Sequence, residues 1–297
     1  MKTIPLVIHV VYNTDKQNVS DAQIQSQIKV LNQDFSRTNP DAVQTPSAFV
    51  GTASNTGIQF CVVKIIRKKT SVTEFNDDNA VKFCHSDGSD SLDVTKYMNV
   101  WVCNLGGRLL GYGEFPNTRP SNTYGVVVNY GAFGTTGTAR SPYNRGRTLT
   151  HEIAHSLNVH HIFEEGVPLT SCSKTDKCYD IPTQSKPNHG CPSFPKTDDC
   201  SLNPPGVMFM NFMDYVDDAC MNIFTKDQSA RMNAVLSIAP YNKLSLTGCA
   251  PNKDEITCNS PSTKRVSSLF TLRNIIIGVV IILLIVGIVI MRKKKII

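Results

Sequence analysis

The stretch Gly146–Phe163, "GRTLTHEIAHSLNVHHIF", holds four of the chain's seven histidines. His151 and His155 are four residues apart, which on an α-helix puts both imidazoles on one face, one turn from each other. Leu149, Ile153 and Leu157 recur at helical spacing and supply an inward apolar stripe. Glu152 points off to the side, within reach of a water on a metal shared by the two imidazoles. In this H-E-x-x-H pattern two neutral imidazoles bind Zn2+ and the carboxylate takes a proton from the zinc-bound water.

His161 lies ten positions after His151. An unbroken helix would carry it about 15 Å along the axis, too far to share a metal. The helix therefore has to stop and the chain has to turn back. Asn158 sits where that turn is needed, and Asn is the best non-glycine residue for a left-handed C-terminal turn. The segment then reads H-E-x-x-H-x-x-N-x-x-H, three zinc ligands with a fourth position open to water. His160 is one residue out of register and reads as a neighbour of the site or a solvent-facing residue, not a ligand.

This long zinc motif resembles that of the metzincin peptidases, which usually carry Gly at the place of Asn158. Metzincins also have a methionine-containing turn beneath the zinc, and "NFMDYVDDACMNIF" supplies one with Met213. The stretches "IPLVIHVVYNTDKQNVSDAQIQSQIKVLNQDF", "NVWVCNLGG", "GRTLTHEIAH" and "MDYVDDACMNIFTKDQSARM" narrow the resemblance to the pappalysin family, in its ulilysin-like and cytophagalysin-like branch. It covers about Ile4 to Met232. The resemblance implies an endopeptidase acting on proteins or peptides, with His151, His155 and His161 on zinc and Glu152 as general base. It implies that Tyr215 stabilises the oxyanion and that Met213 forms a hydrophobic floor. It also implies a calcium site in the loop after the third histidine, where Glu165, Asp176 and Asp180 are oxygen donors, although Ile181 stands where the family has a hydroxyl ligand. The segment after the Met-turn lines the specificity pocket in metzincins. Asp217 and Asp218 there would favour Arg or Lys just beyond the cut. A competing reading is a catalytically silent module of the same shape, used for adhesion or display. Silent relatives normally lose the Glu or a His, and all of these are present.

The chain has 297 residues and a net charge of +6, much of it from "RKKK" and "IIRKK". No nucleic-acid motif accompanies those charges, so no nucleic-acid partner is expected. Ten cysteines are many for a reducing cytosol, and none forms a C-x-x-C pair. Five of them fall in or beside a segment too poor in apolar runs to fold around a core: Cys172, Cys178, Cys191, Cys200 and Cys220. By the family resemblance, Cys172 pairs with Cys200 and Cys191 with Cys220. Cys249 and Cys258 are placed to close a small loop, Cys178 has no partner to name, and buried thiols are expected for two of Cys61, Cys84 and Cys103.

"IPLVIHVVY", "IQFCVVKII", "MNVWVCNL" and "YGVVVNY" read as strands, with His9 simply a strand residue. Two capped helices are expected, one with Ser20 and Gln23 as its capping box, the other with Thr225 and Gln228. On the first, Ile24, Ile28, Leu31 and Phe35 share one face. The fold class is α+β: a mixed twisted sheet with a backing helix and an active-site helix, then an irregular disulfide-linked lobe ending in a helix. An extended peptide would add to an edge strand across the cleft.

The expected domains are a metallopeptidase at 1–248, a linker at 249–273, a transmembrane helix at 274–291 and a basic tail at 292–297. Ile275 to Met291 is an uncharged apolar run of 17 residues, about 26 Å as a helix, at the short end of what crosses a bilayer. A C-terminal membrane anchor follows. The basic tail and the cysteines place the enzyme outside the cell or in a lumen. The lack of a signal peptide places it on the cytosolic side. A virus that assembles membranes in the cytoplasm is one setting that reconciles them. No pro-segment precedes Ile4, which implies an enzyme active as made or controlled by location or a partner.

Overall fold

The computed structural model describes residues 1–165, 172–173, 176–246 and 248–252. The expected transmembrane helix at 274–291, the basic tail and most of the linker lie outside the described residues. Among the described residues no helix is long and apolar enough to cross a membrane.

Five strands form one mixed sheet in the order β2-β1-β3-β5-β4: β1 Lys2–Tyr12, β2 Ile58–Lys69, β3 Met98–Cys103, β4 Gly111–Gly113 and β5 Gly125–Asn129. β1 runs parallel to β2 and β3, β3 parallel to β5, and only the edge strand β4 is antiparallel to its neighbour. Ile4, Leu6, Ile8 and Val10 of β1 face the main core, while Val11 joins Trp101, Val127 and Phe75 on the opposite face. Both faces are covered, which is why β1 reads as a continuous apolar run instead of alternating. His9 is one of its buried residues, held between Ser89 Oγ and Asn99 Oδ1 at 2.9 Å each and stacked on Trp101.

Among the described residues four α-helices accompany the sheet: α1 Asp21–Phe35, the single turn α2 Ser47–Val50, α3 Arg147–Ser156 and α4 Lys226–Val235. Ile24, Ile28, Leu31 and Phe35 of α1 are buried, as their spacing predicts. Its capping box forms only by half. Ser20 accepts from the Gln23 N–H, but the Gln23 side chain leaves the helix end to donate to Phe133 O at 2.7 Å and Thr138 Oγ1 at 3.0 Å. Its Oε1, which a capping box would turn to the Ser20 N–H, accepts the Thr138 N–H at 3.1 Å instead. On α4 the Thr225–Gln228 box is complete. Gln228 also exchanges two hydrogen bonds with Asn211, at 2.9 and 3.0 Å, and Asn211 Oδ1 accepts the N–H of Met213 at 3.0 Å. The cap of the last helix thus sets the turn that contains Met213.

Cys172–Cys200 and Cys191–Cys220 are bonded as the family resemblance implies. The expected Cys249–Cys258 loop is not formed. Cys249 pairs with Cys61 on β2, across 188 residues, and Asn252 N–H donates to Val63 O at 2.9 Å beside it. Residues 249–252, at the start of the expected linker, are therefore laid along the β2 edge. Cys84 is disulfide-bonded too, so of Cys61, Cys84 and Cys103 only Cys103 is a buried thiol; Cys178 is another.

Candidate active site

The site is built on α3, and the start of that helix is fixed from several directions. Gly146 takes a left-handed φ of 73° before it and is followed at once by Arg147, whose positive charge opposes the helix dipole at this end. The structure resolves that conflict with carboxylates. Asp218 Oδ2 accepts the N–H groups of Arg145 and Arg147 at 2.7 and 3.3 Å, satisfying donors that the helix start leaves open. The buried Arg147 guanidinium is held by both oxygens of Asp41 at 3.0 Å and by Met221 O at 2.7 Å. Asp34 lies 3.3 Å from Arg147 Nε and accepts the Thr150 hydroxyl at 2.7 Å. Burial pushes the Asp34 carboxyl up to about 7, outweighing the attraction of Arg147. Burial likewise raises Asp218 to about 6. The network joins α1, α3 and the segment after the Met-turn, three parts that must keep register for the site to exist.

Leu149, Ile153 and Leu157 are fully buried, and removing each from water stabilises the packed helix by about 2 kcal/mol. Their stripe turns the opposite face, with His151, Glu152 and His155, toward the cleft. The helix ends at Leu157, and Asn158 has a left-handed φ of 69°, as the spacing of the third histidine requires. The reversed chain brings His161 back. The Nε2 atoms of His151, His155 and His161 lie 3.0 Å from one another, every pair.

These three contacts are not hydrogen bonds among the rings. His151 Nδ1 faces Phe212 O at 2.7 Å and His155 Nδ1 faces Val159 O at 2.8 Å; a carbonyl only accepts, so both Nδ1 atoms carry the proton. His161 Nδ1 faces Glu165 Oε1 at 2.5 Å and donates in the same way. All three Nε2 atoms are then lone-pair acceptors aimed at one point, a mutual repulsion that a bound cation removes. Burial drives His151 well below its usual range and, with the neighbouring His161, lowers His155 to about 3, so neither ring meets the repulsion by taking a second proton. The 3.0 Å triangle is slightly tighter than the about 3.3 Å edge expected of zinc with nitrogen at 2.0–2.1 Å. The donor set fits zinc, and among the described residues it is the only group of three or more His, Cys, Asp or Glu side chains converging in this way.

Glu152 lies beside the trio, and burial pushes its carboxyl up to about 8. It makes no hydrogen bond or ion pair with the described residues, so its carboxylate is turned to the cleft with its acceptors uncommitted. The edge strand β4 forms the wall against it. A Cβ on Gly111 would meet Glu152 Cγ at 2.9 Å, and one on Gly113 would meet Glu152 O at 2.5 Å. Two glycines in period-two spacing are what let the strand lie against the helix. The cleft has a volume of about 550 Å3, with Gly111, Tyr112 and Gly113 on one side and Tyr215, Val216 and Asp218 among the residues opposite.

Met213 is fully buried, and the carbonyl of its predecessor Phe212 orients His151. The Tyr215 ring lies 4.9 Å from that of His161 and 5.8 Å from that of His151, 40% exposed toward the cleft. Burial is the main cause that raises its hydroxyl to about 12, so it remains a proton donor. His160 is outside the trio, half-buried, its ring 4.8 Å from that of Phe115.

Of the two carboxylates expected in a specificity pocket, Asp218 lines the cleft and Asp217 does not. Asp217 is half-buried on the turn beyond Val216, its N–H donating to Gly190 O. Asp214 also lines the cleft, but it is saturated by Gln184, both nitrogens of Asn188 and the Tyr215 N–H. The expected calcium set is not brought together: Glu165 is engaged with His161, Asp176 caps the Cys178 N–H, and Asp180 accepts the Asp227 N–H. Sequence reasoning missed β4, Asp34, Asp41, Phe115 and His189, the last two lining the cleft near Tyr215 and His155.

A family model described as pregnancy-associated plasma protein-A matches residues 85–237. An extracellular metalloprotease of Arthroderma benhamiae is 33% identical over 238 residues, covering 77% of this chain and 76% of that one. Another from Pyricularia oryzae is 31% identical over 242 residues, covering 79% and 75%. Among solved structures, mature mirolysin of Tannerella forsythia in complex with a cleaved peptide is 48% identical with a TM-score of 0.79, covering 82% of this chain and 96% of that one. With the histidine trio and the Met-turn in place, these matches show that the chain belongs to the pappalysin family of metzincins and is a zinc metalloendopeptidase.

Proposed function

We propose that the chain is a membrane-anchored zinc endopeptidase in which Glu152 is the general base, Tyr215 the oxyanion donor and Asp218 the carboxylate that draws a basic side chain into the pocket beyond the cut. The observation that carries this reading is the convergence of three Nε2 acceptors at 3.0 Å, each with its Nδ1 committed as a donor, beside an unpartnered buried carboxylate.

Zinc supplies Lewis-acid chemistry there, making a water acidic near neutral pH and drawing electron density from the scissile carbonyl. The chain's own groups do the rest. Edge strand β4 presents backbone N–H and C=O groups to an extended peptide, which fixes the carbonyl over the trio. Glu152 takes the proton from the attacking water as the C–O bond forms. It returns that proton to the amide nitrogen as the C–N bond breaks. The Tyr215 hydroxyl donates to the oxygen on which negative charge develops.

The basic preference is supported by Asp218 in the cleft wall, with one oxygen occupied by the start of α3. A charge-assisted hydrogen bond from Arg or Lys there would contribute roughly 1.5–3 kcal/mol. Anchoring is supported by the apolar run from Ile275 to Met291 and the basic residues after it. Support for calcium is narrower: Asp180 Oδ1 is buried without a hydrogen-bond partner close to Asp227, but Glu165 is turned away. The test is product mapping by mass spectrometry after the full chain has cut denatured proteins with and without a zinc chelator. The reading expects cuts before Arg and Lys that vanish with the chelator. Cuts mainly before Leu or Phe would remove the electrostatic pocket and leave the zinc chemistry standing, whereas cutting that survives chelation would remove both.

A further inference from the structure

The three ligand histidines are not held alike. His151 and His155 stand on a helix with buried flanks, and each Nδ1 is fixed by a backbone carbonyl at 2.7 and 2.8 Å. His161 lies beyond the left-handed Asn158 and has no helical frame. From His161 the chain runs on to Phe163, which pairs in an isolated bridge with Gln184, and Glu164 N–H donates to Gln184 O at 3.0 Å. His161 and Glu165 line the cleft, while Ile162 and Phe163 are buried. The His161 and Phe163 rings stack at 4.7 Å with an interplanar angle of 13°, and the Glu165 carboxylate receives the His161 Nδ1 proton at 2.5 Å.

We infer that Glu165 is a positioning residue for zinc: its carboxylate takes the place of the backbone carbonyl that the other two ligands have, fixing the His161 tautomer and aiming its Nε2 at the metal. The inference rests on the zinc reading and deepens it. A carboxylate does more than a carbonyl in this position, because accepting the Nδ1 proton with a full negative charge makes the opposite nitrogen a stronger donor to a cation. Glu165 is also half-exposed, unlike the carbonyls on the helix-borne ligands. Its hold on His161 therefore competes with water and with substrate, and the third ligand is the one whose loss opens the site first. Leu149, Ile153 and Leu157 anchor the helix that carries the other two from below; for His161 that work falls to Phe163 and Glu165.

Zinc dissociation constants of the full-length chain, measured by competition with a chromophoric chelator, test this. Removing a partner of this kind typically weakens metal binding by about 10–100-fold. Glu165→Ala is expected to raise the zinc Kd by about tenfold or more, and excess zinc is expected to recover most of the lost turnover. Glu165→Gln keeps an acceptor without the charge and should recover part of the affinity. An alanine variant whose zinc Kd stays within about twofold of the parent overturns the inference, as does a glutamine variant no better than alanine. Turnover lost with an unmoved Kd would place Glu165 on the substrate and also overturn it. A parent chain that binds no zinc would defeat the zinc reading itself, a result distinct from any of these.

Discussion

Gly113 offers the sharpest perturbation of the catalytic geometry, because its substitution adds one methyl group and touches no chemistry. Its φ lies outside the left-handed region, so an alanine there has no conformational objection of its own. The objection is spatial. A Cβ would stand 2.5 Å from the carbonyl oxygen of Glu152 and 3.3 Å from the Cβ of His155. Ordinary carbon–oxygen approach begins at about 3.3 Å, so strand and helix would have to part by roughly 0.8 Å. Neither neighbour is the free end of a flexible side chain. One is the backbone of Glu152, the proposed general base, and the other belongs to His155 of the histidine trio. Overpacking of this kind costs about 1–3 kcal/mol of stability, several degrees of Tm for a domain of this size. A misplacement near 1 Å at a reacting centre costs on the order of 10²-fold in rate. Gly113→Ala should then lower kcat/KM on a quenched-fluorescence peptide by about 10²-fold and lower Tm by several degrees. Gly51→Ala is the control, since nothing lies within 4 Å of its Cβ and its φ of −66° suits any residue; it should change neither. A Gly113→Ala variant with the parent's kcat/KM would refute the claim that β4 and α3 are in obligatory contact.

Tyr215→Phe should reduce kcat by about 10²-fold with zinc content and Tm unchanged; an unchanged kcat would leave Tyr215 a packing residue. Asp218→Asn should broaden the residues accepted beyond the cut, whereas Asp217→Asn, whose side chain is away from the cleft, should leave the product map as it is; a map altered by Asp217→Asn alone would reverse the assignment. The pH dependence of stability carries the signature of Asp34. Its folded pKa, about 7, lies above the unfolded value, so its protonated form stabilises the fold below about pH 4 and that contribution is lost as pH rises through about 7. Asn imitates the protonated form and does not titrate, so the Tm of the parent should fall relative to that of Asp34→Asn from pH 5 to pH 8, and a difference that stays constant over that range would mean that Arg147 holds Asp34 charged throughout.

The zinc ligands were legible because a metal imposes distances. Helical rise alone excludes a straight path from His151 to His161, and Asn158 sits where the bend is needed. α3 and α4 were legible for a related reason: periodicity and caps are local. What escaped was non-local or too short to have a period. β4 is three residues, two of them glycines, and its one signal was the Gly-Tyr-Gly alternation, a sign of close backbone approach. Cys61 and Cys249 are 188 residues apart, and nothing in either neighbourhood names the other. Gln23 reads as half of a cap because Ser20 is local, whereas the groups its side chain bonds, Phe133 O and the Thr138 N–H, come more than a hundred residues later. Arg147 did carry a signal: a basic residue in the first turn opposes the helix dipole and calls for a buried carboxylate. Sequence could not say that three aspartates, Asp34, Asp41 and Asp218, answer it. The last of these lines the cleft and also closes the N-terminus of α3.

The account turns on Glu152 acting on a proton at a site that the three histidines hold without it. Zinc content and turnover of Glu152→Gln, measured on one preparation beside the parent, test this most directly. Gln keeps the size of the side chain and removes its basicity, and no ligand is touched. The account predicts the parent's zinc content, an unchanged Tm, and turnover per bound zinc lower by about 10²–10⁴-fold, the usual worth of a general acid–base. Turnover per zinc within about threefold of the parent would contradict it.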